Sequence, residues 1–115
     1  MRSARLVLHA FILMTLTETQ IQISTICDDV KELLLYKNKK YGNSALEPAR
    51  IFSKASSVEQ ILVRIDDKLS RIKSGDSLLD YDEDVVMDLI GYLVLLKIAL
   101  IKEDVAASQI GQDGV

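Results

Sequence analysis

The sequence predicts an all-α protein, and three observations carry that expectation. Glycine and proline are scarce, five and one in 115 residues, so turns are few and elements long. Apolar residues recur at spacings of three and four in three separate stretches. Helix start and stop signals bracket those stretches. A chain of this length makes one domain and buries one core.

The first helix is expected from about Glu18 to Lys40. Thr17 is placed to cap it, with Gln20 three residues on in capping-box spacing. Ile23, Ile26, Val30, Leu33 and Leu34 give it one apolar face, among whose neighbours Cys27 reads as core. Gly42 supplies the C-terminal stop. Residues 42–57 read as a connector with a short helix starting near Pro48, because proline suits a first helical turn. Ala49, Ile51 and Phe52 are expected to pack that connector onto the core.

The second helix is expected from about Val58 to Lys73, capped by Ser57 with Gln60 and stopped by Gly75. Its stripe is Ile61, Leu62, Ile65, Leu69 and Ile72. The third is expected from about Glu83 to Lys102, with Asp80 or Asp82 as cap. Its centre, Leu89 to Leu100, is apolar nearly all round, as in a helix buried on most sides. Three helices of one chain scarcely cover such a surface, so copies of the chain are expected to pack together. Gly91 inside this helix points to a close approach by another helix, in preference to a ligand.

The remaining ends complete the organisation. Residues 1–16 read as an N-terminal extension, with a second candidate start at Met14. Arg2 and Arg5 before the apolar run Leu6–Met14 have the outline of a short signal peptide, but no small-residue cleavage site follows. That run is too short to span a bilayer, and no membrane partner is expected. Residues 17–104 form the helical domain and 105–115 a flexible tail.

Composition narrows the chemistry. The formal charge is -3, from 14 basic and 17 acidic residues, which gives no broad basic face for duplex nucleic acid. One cysteine forms no internal disulfide and fits a reducing cytoplasm. One histidine and one cysteine do not make a zinc site, so a metal would be held by carboxylates, which favours Mg²⁺ or Mn²⁺. No Ser-His or Cys-His nucleophile pattern, phosphate-binding glycine loop or dinucleotide motif is present.

Three polar segments remain. Lys37-Asn38-Lys39-Lys40-Tyr41-Gly42-Asn43-Ser44 offers donors and a ring to a nucleotide, and reads equally as a helix end whose lysines complement the dipole. Arg64, Asp67, Lys68 and Arg71 fall at i, i+3, i+4 and i+7, which suits a phosphate chain or a solvated ion-pair face. Asp84, Asp88 and Tyr92 fall at i, i+4 and i+8 beside Glu83. Asp88 borders the apolar body of its helix, so it needs a partner: Arg64, Arg71 or a metal ion.

These segments, in order and spacing, resemble the nucleotide modification associated domain, type one, a family common in bacteriophages and prophages. The resemblance runs through Val63-Arg64-Ile65-Asp66-Asp67-Lys68-Leu69-Ser70-Arg71 and Glu83-Asp84-Val85-Val86-Met87-Asp88-Leu89-Ile90-Gly91-Tyr92, and covers about Ile26 to Leu96. That family is similar to the MazG-like all-α nucleotide pyrophosphohydrolases. The resemblance implies an antiparallel MazG-like bundle completed by homodimers or homotetramers. It also implies cleavage of a nucleoside triphosphate to monophosphate and pyrophosphate in the cytoplasm of a host bacterium.

Carried over residue by residue, the resemblance implies that Asp88 holds Mg²⁺ (or Mn²⁺) with Asp84 or Glu83 as companion. Asp88, Asp84 and Asp67 are the catalytic candidates. Lys37, Asn38, Tyr41, Arg64, Lys68, Arg71 and Tyr92 are the nucleotide-binding candidates. MazG-like enzymes typically carry E-x-x-E on one helix and E-x-x-D on the next. Here the second helix offers Glu59, Asp66 and Asp67, and the third spaces Glu83, Asp84 and Asp88 differently. A protein that binds nucleotides without cutting them, and a structural helical oligomer, are the alternative expectations.

Overall fold

A computed structural model describes residues 15–75, 78 and 84–113. The chain is all-α, with three helices and no strand among the described residues. They are α1 (Glu18–Tyr41), α2 (Ser57–Lys73) and α3 (Val85–Asp113). No helix among the described residues is long and apolar enough to cross a membrane. The chain divides into two compact units, residues 1–33 and 34–115.

In the first unit, α1 starts as its sequence predicts. The Thr17 backbone N–H donates to Gln20 Oε1 at 2.9 Å, and the Gln20 N–H donates to Thr17 Oγ1 at 3.2 Å. This reciprocal pair satisfies donors that have no partner within the helix. Burial departs from the expected face. Val30 is buried, but Ile23, Ile26 and Cys27 are exposed. Spacing marks a face as apolar; whether another element covers it depends on residues elsewhere in the chain. The apolar run at 6–14 and the extension boundary near residue 16 lie outside the described residues or at their edge.

The second unit contains the end of α1 from Leu34, followed by α2 and α3. Gly42, with φ +73°, ends α1 in the left-handed conformation that glycine adopts at least cost. The connector then turns at Asn43, whose carbonyl accepts from the N–H groups of Leu46 and Glu47 at 3.1 and 2.8 Å. No helix starts at Pro48, contrary to expectation. Leu46 reaches the core, whereas Ala49 and Ile51 are exposed and Phe52 is 98% exposed. Arg50, at φ +54°, turns the connector at that point. The Arg50 Nε–H donates to the Ala55 carbonyl, and Lys54 Nζ to the Arg50 carbonyl.

The second helix begins one residue earlier than predicted. Ser56, not Ser57, is the cap: its Oγ accepts from the Glu59 N–H at 3.1 Å. Serine followed by glutamate at the third position is itself a capping-box sequence. Gly75, at φ +83°, follows the helix end as predicted.

Ile61 and Ile65 on α2 meet Ala99 on α3, and Val58, Leu89, Tyr92, Leu95 and Leu96 pack around them. Ile61 is only 1% exposed. Leu62, Leu69 and Ile72, also expected in the stripe, are partly exposed. The inward line of α2 is Ile61, Ile65 and Lys68, at i, i+4 and i+7. A Cβ on Gly91 would lie 3.2 Å from Leu34 Cδ2, so this glycine admits close approach of α1 to α3 as expected.

The third helix differs most from its prediction. Asp84 caps it: Asp84 Oδ1 accepts from the Met87 N–H at 2.8 Å, and its carbonyl accepts from the Asp88 N–H at 2.9 Å. Asp80 and Asp82, the predicted caps, lie outside the described residues. The helix continues past Lys102 to Asp113, through residues expected to form a tail. That segment has no proline and its weakest former, Gly111, lies near its end, so nothing local stops a helix already propagating.

Candidate functional site

Asp88 is the meeting point of three helices. It sits in the first turn of α3, where a carboxylate favours the positive end of the helix dipole. Its Oδ2 lies 3.3 Å from Lys68 Nζ on α2, and its Oδ1 lies 3.7 Å from Lys37 Nζ on α1. Expectation paired Asp88 with Arg64, Arg71 or a metal ion; two lysines take that place. Among the described residues, no buried side-chain nitrogen or oxygen lacks a hydrogen-bond partner.

Lys68 is the buried cation among the described residues of the second unit, with 7% of its surface exposed. Its position explains this. It follows Ile65 by three residues and Ile61 by seven, so it falls in the apolar line facing α3. An ammonium there keeps its charge only with anions nearby, and Asp88 supplies one. Grouping Lys68 with Arg64, Asp67 and Arg71 on one polar face, whether for phosphate or for solvated ion pairs, missed this. The period of its apolar neighbours was the available signal.

The other predicted residues separate. Arg71 Nε lies 3.6 Å from Asp67 Oδ2, an exposed i, i+4 pair along α2. Arg64 is exposed and borders an open depression of about 370 Å³, also lined by Ser53, Ala55, Glu59, Gln60 and Val63. Tyr92 packs against the core. At the end of α1, Asn38 Nδ2 donates to Asn43 Oδ1 at 3.2 Å. The Lys40 ammonium lies 5.7 and 5.3 Å from the ring centres of Tyr36 and Tyr41, within range of cation–π attraction.

Among the described residues, the candidate metal-ligating carboxylates are engaged by other groups. Both Asp88 oxygens face ammonium groups, and Asp84 Oδ1 is engaged in capping. No cluster of three potential ligands occurs among the described residues, and Glu83, the predicted companion, lies outside them. Hard cations bind through several oxygens at once. What the site does hold is two ammonium groups, delivered by different helices to one point.

No protein-family model, curated protein or solved structure matches the chain.

Proposed function

We propose that this protein binds the phosphate chain of a nucleotide at the Lys37–Lys68–Asp88 cluster. The observation that carries the reading is the convergence of Lys37 and Lys68 on one oxygen-bearing anion. A phosphate oxygen makes the same charge-assisted bonds to ammonium groups as the Asp88 carboxylate. The lysines, asparagine and tyrosines at the end of α1 stand next in sequence to contact the rest of the nucleotide. The bundle is read as MazG-like and completed by further copies of the chain, as the family resemblance implies.

Binding without hydrolysis is the reading the carboxylate geometry favours. Metal-dependent cleavage to monophosphate and pyrophosphate is the reading that the resemblance favours. One variant separates them. Where phosphate binds the lysines directly, Asp88 competes with it, and Asp88→Asn tightens nucleotide binding. Where Asp88 holds Mg²⁺ or Mn²⁺, Asp88→Asn abolishes both the metal dependence and pyrophosphate release.

The measurement is a thermal-shift and calorimetric panel of nucleoside triphosphates, with and without Mg²⁺, with pyrophosphate assayed in parallel. A ligand at a hundred times its Kd stabilises the native state by about 2.7 kcal/mol, which is readily seen. Binding weakened in Lys37→Ala and strengthened in Asp88→Asn supports the proposal. Failure of every nucleotide to bind overturns it and leaves a structural helical protein.

A further inference from the structure

We infer that α3 carries a self-complementary seam through which two copies of this chain pair antiparallel. The inference deepens the reading that further copies complete the bundle and rests on it, but not on nucleotide binding. It starts from Val94, Ile98, Ile101 and Val105. Their spacing of four, three and four is that of the contact positions in a two-helix coil. At 100° per residue they form one stripe, on the side of α3 opposite Leu89, Tyr92, Leu96 and Ala99, which face α2. All four lie open, between 37% and 51% exposed. Four β-branched side chains in one line are a poor surface to leave in water.

The flanking charges identify the occupant. Lys97 and Asp104 border the stripe on one side, and Lys102 borders it on the other. Lys97 and Asp104 are exposed and have no ion-pair partner among the described residues. In an antiparallel pair, Ile98 of one copy stacks on Ile101 of the other, and Val94 on Val105. Lys97 of each copy then meets Asp104 of the other, twice by symmetry. A parallel pair instead sets Lys97 against Lys102 of the second copy, a like-charge contact. Flanking charges select orientation in this way. The stripe therefore fits a second copy in one direction.

The test is sedimentation equilibrium of the full chain over a wide range of concentration. The wild type is expected to form dimers or dimer-based assemblies. Ile101→Glu places a charge in the seam of both copies and weakens the association on the order of a hundredfold, with far-UV helicity retained. Lys97→Asp and Asp104→Lys each weaken self-association about tenfold, since two exposed attractions become repulsions. An equimolar mixture of those two single variants restores wild-type affinity, because every Lys–Asp contact re-forms between unlike copies.

A wild type that stays monomeric at every concentration overturns the assembly reading and the seam with it. An oligomer indifferent to Ile101→Glu and to both swaps overturns the seam alone. A mixture no tighter than either single variant overturns the antiparallel pairing. If Ile101→Glu loses its helicity, the charge-swap pair decides.

Discussion

The two long sides of α3 are made of the same kind of residue and meet different surroundings. One side, Leu89, Tyr92, Leu95, Leu96 and Ala99, packs on Ile61 and Ile65 of α2. The other, Val94, Ile98, Ile101 and Val105, faces outward. The inward side includes a small residue, Ala99 at 1% exposure, and an aromatic ring, Tyr92. The outward side is uniform, β-branched and flanked by charge. Large and small residues that interlock suit a fixed neighbour within the chain, and a regular stripe suits a neighbour that arrives as a helix.

Truncation on the two sides should differ widely. Ile61→Ala, in the centre of the inward contact, is expected to cost roughly 2–5 kcal/mol in denaturant unfolding. Ile98→Ala on the outward side, measured where the chain is monomeric, should cost about 0.5 kcal/mol or less. Similar losses at both sites would show that the outward stripe is covered within a single chain.

Gly91 tests how tightly the end of α1 is held. Gly91→Val directs its branched side chain at Leu34 and is expected to cost about 1–3 kcal/mol through overpacking. Gly91→Ala should fall within about 1 kcal/mol of the wild type. There the better helix former offsets a contact that falls on the flexible end of Leu34. A stabilised valine variant would mean that α1 does not press on α3 at this point.

The two ion pairs of α2 provide a finer comparison. Asp88→Ala removes the carboxylate beside the buried Lys68 and should cost about 1–3 kcal/mol. Asp67→Ala removes the carboxylate from an exposed pair with Arg71, and at most about 0.5 kcal/mol is expected. Equal effects would contradict the burial of Lys68.

The helix caps give the smallest effects. Ser56→Ala and Asp84→Ala should each cost about 1 kcal/mol by removing the acceptor at a helix start. Ser57→Ala should cost less, because Ser57 lies inside the helix. If Ser57→Ala instead costs more than Ser56→Ala, the start of α2 is misplaced by one residue.

The sequence by itself determined the helical class, the three helices and several of their ends. Those features depend on neighbours within a few positions: Thr17 with Gln20, Gly42 and Gly75 as stops, and recurring apolar residues. The same local rules failed where two candidates stood side by side, as with Ser56 and Ser57, or where nothing local marks an end, as beyond Lys102. Asp88 as a carboxylate in need of a partner was legible too, because it borders an apolar run.

Only the tertiary structure decided which cations meet Asp88 and which apolar faces find a neighbour in the chain. Lys37, Lys68 and Asp88 are far apart in sequence, so their convergence depends on how α1, α2 and α3 pack. Helical periodicity marks a side chain's face, but the rotation of one helix against another selects its neighbours. A rotation of α2 by less than one residue's turn would replace Lys68 with Arg71 as the inward cation.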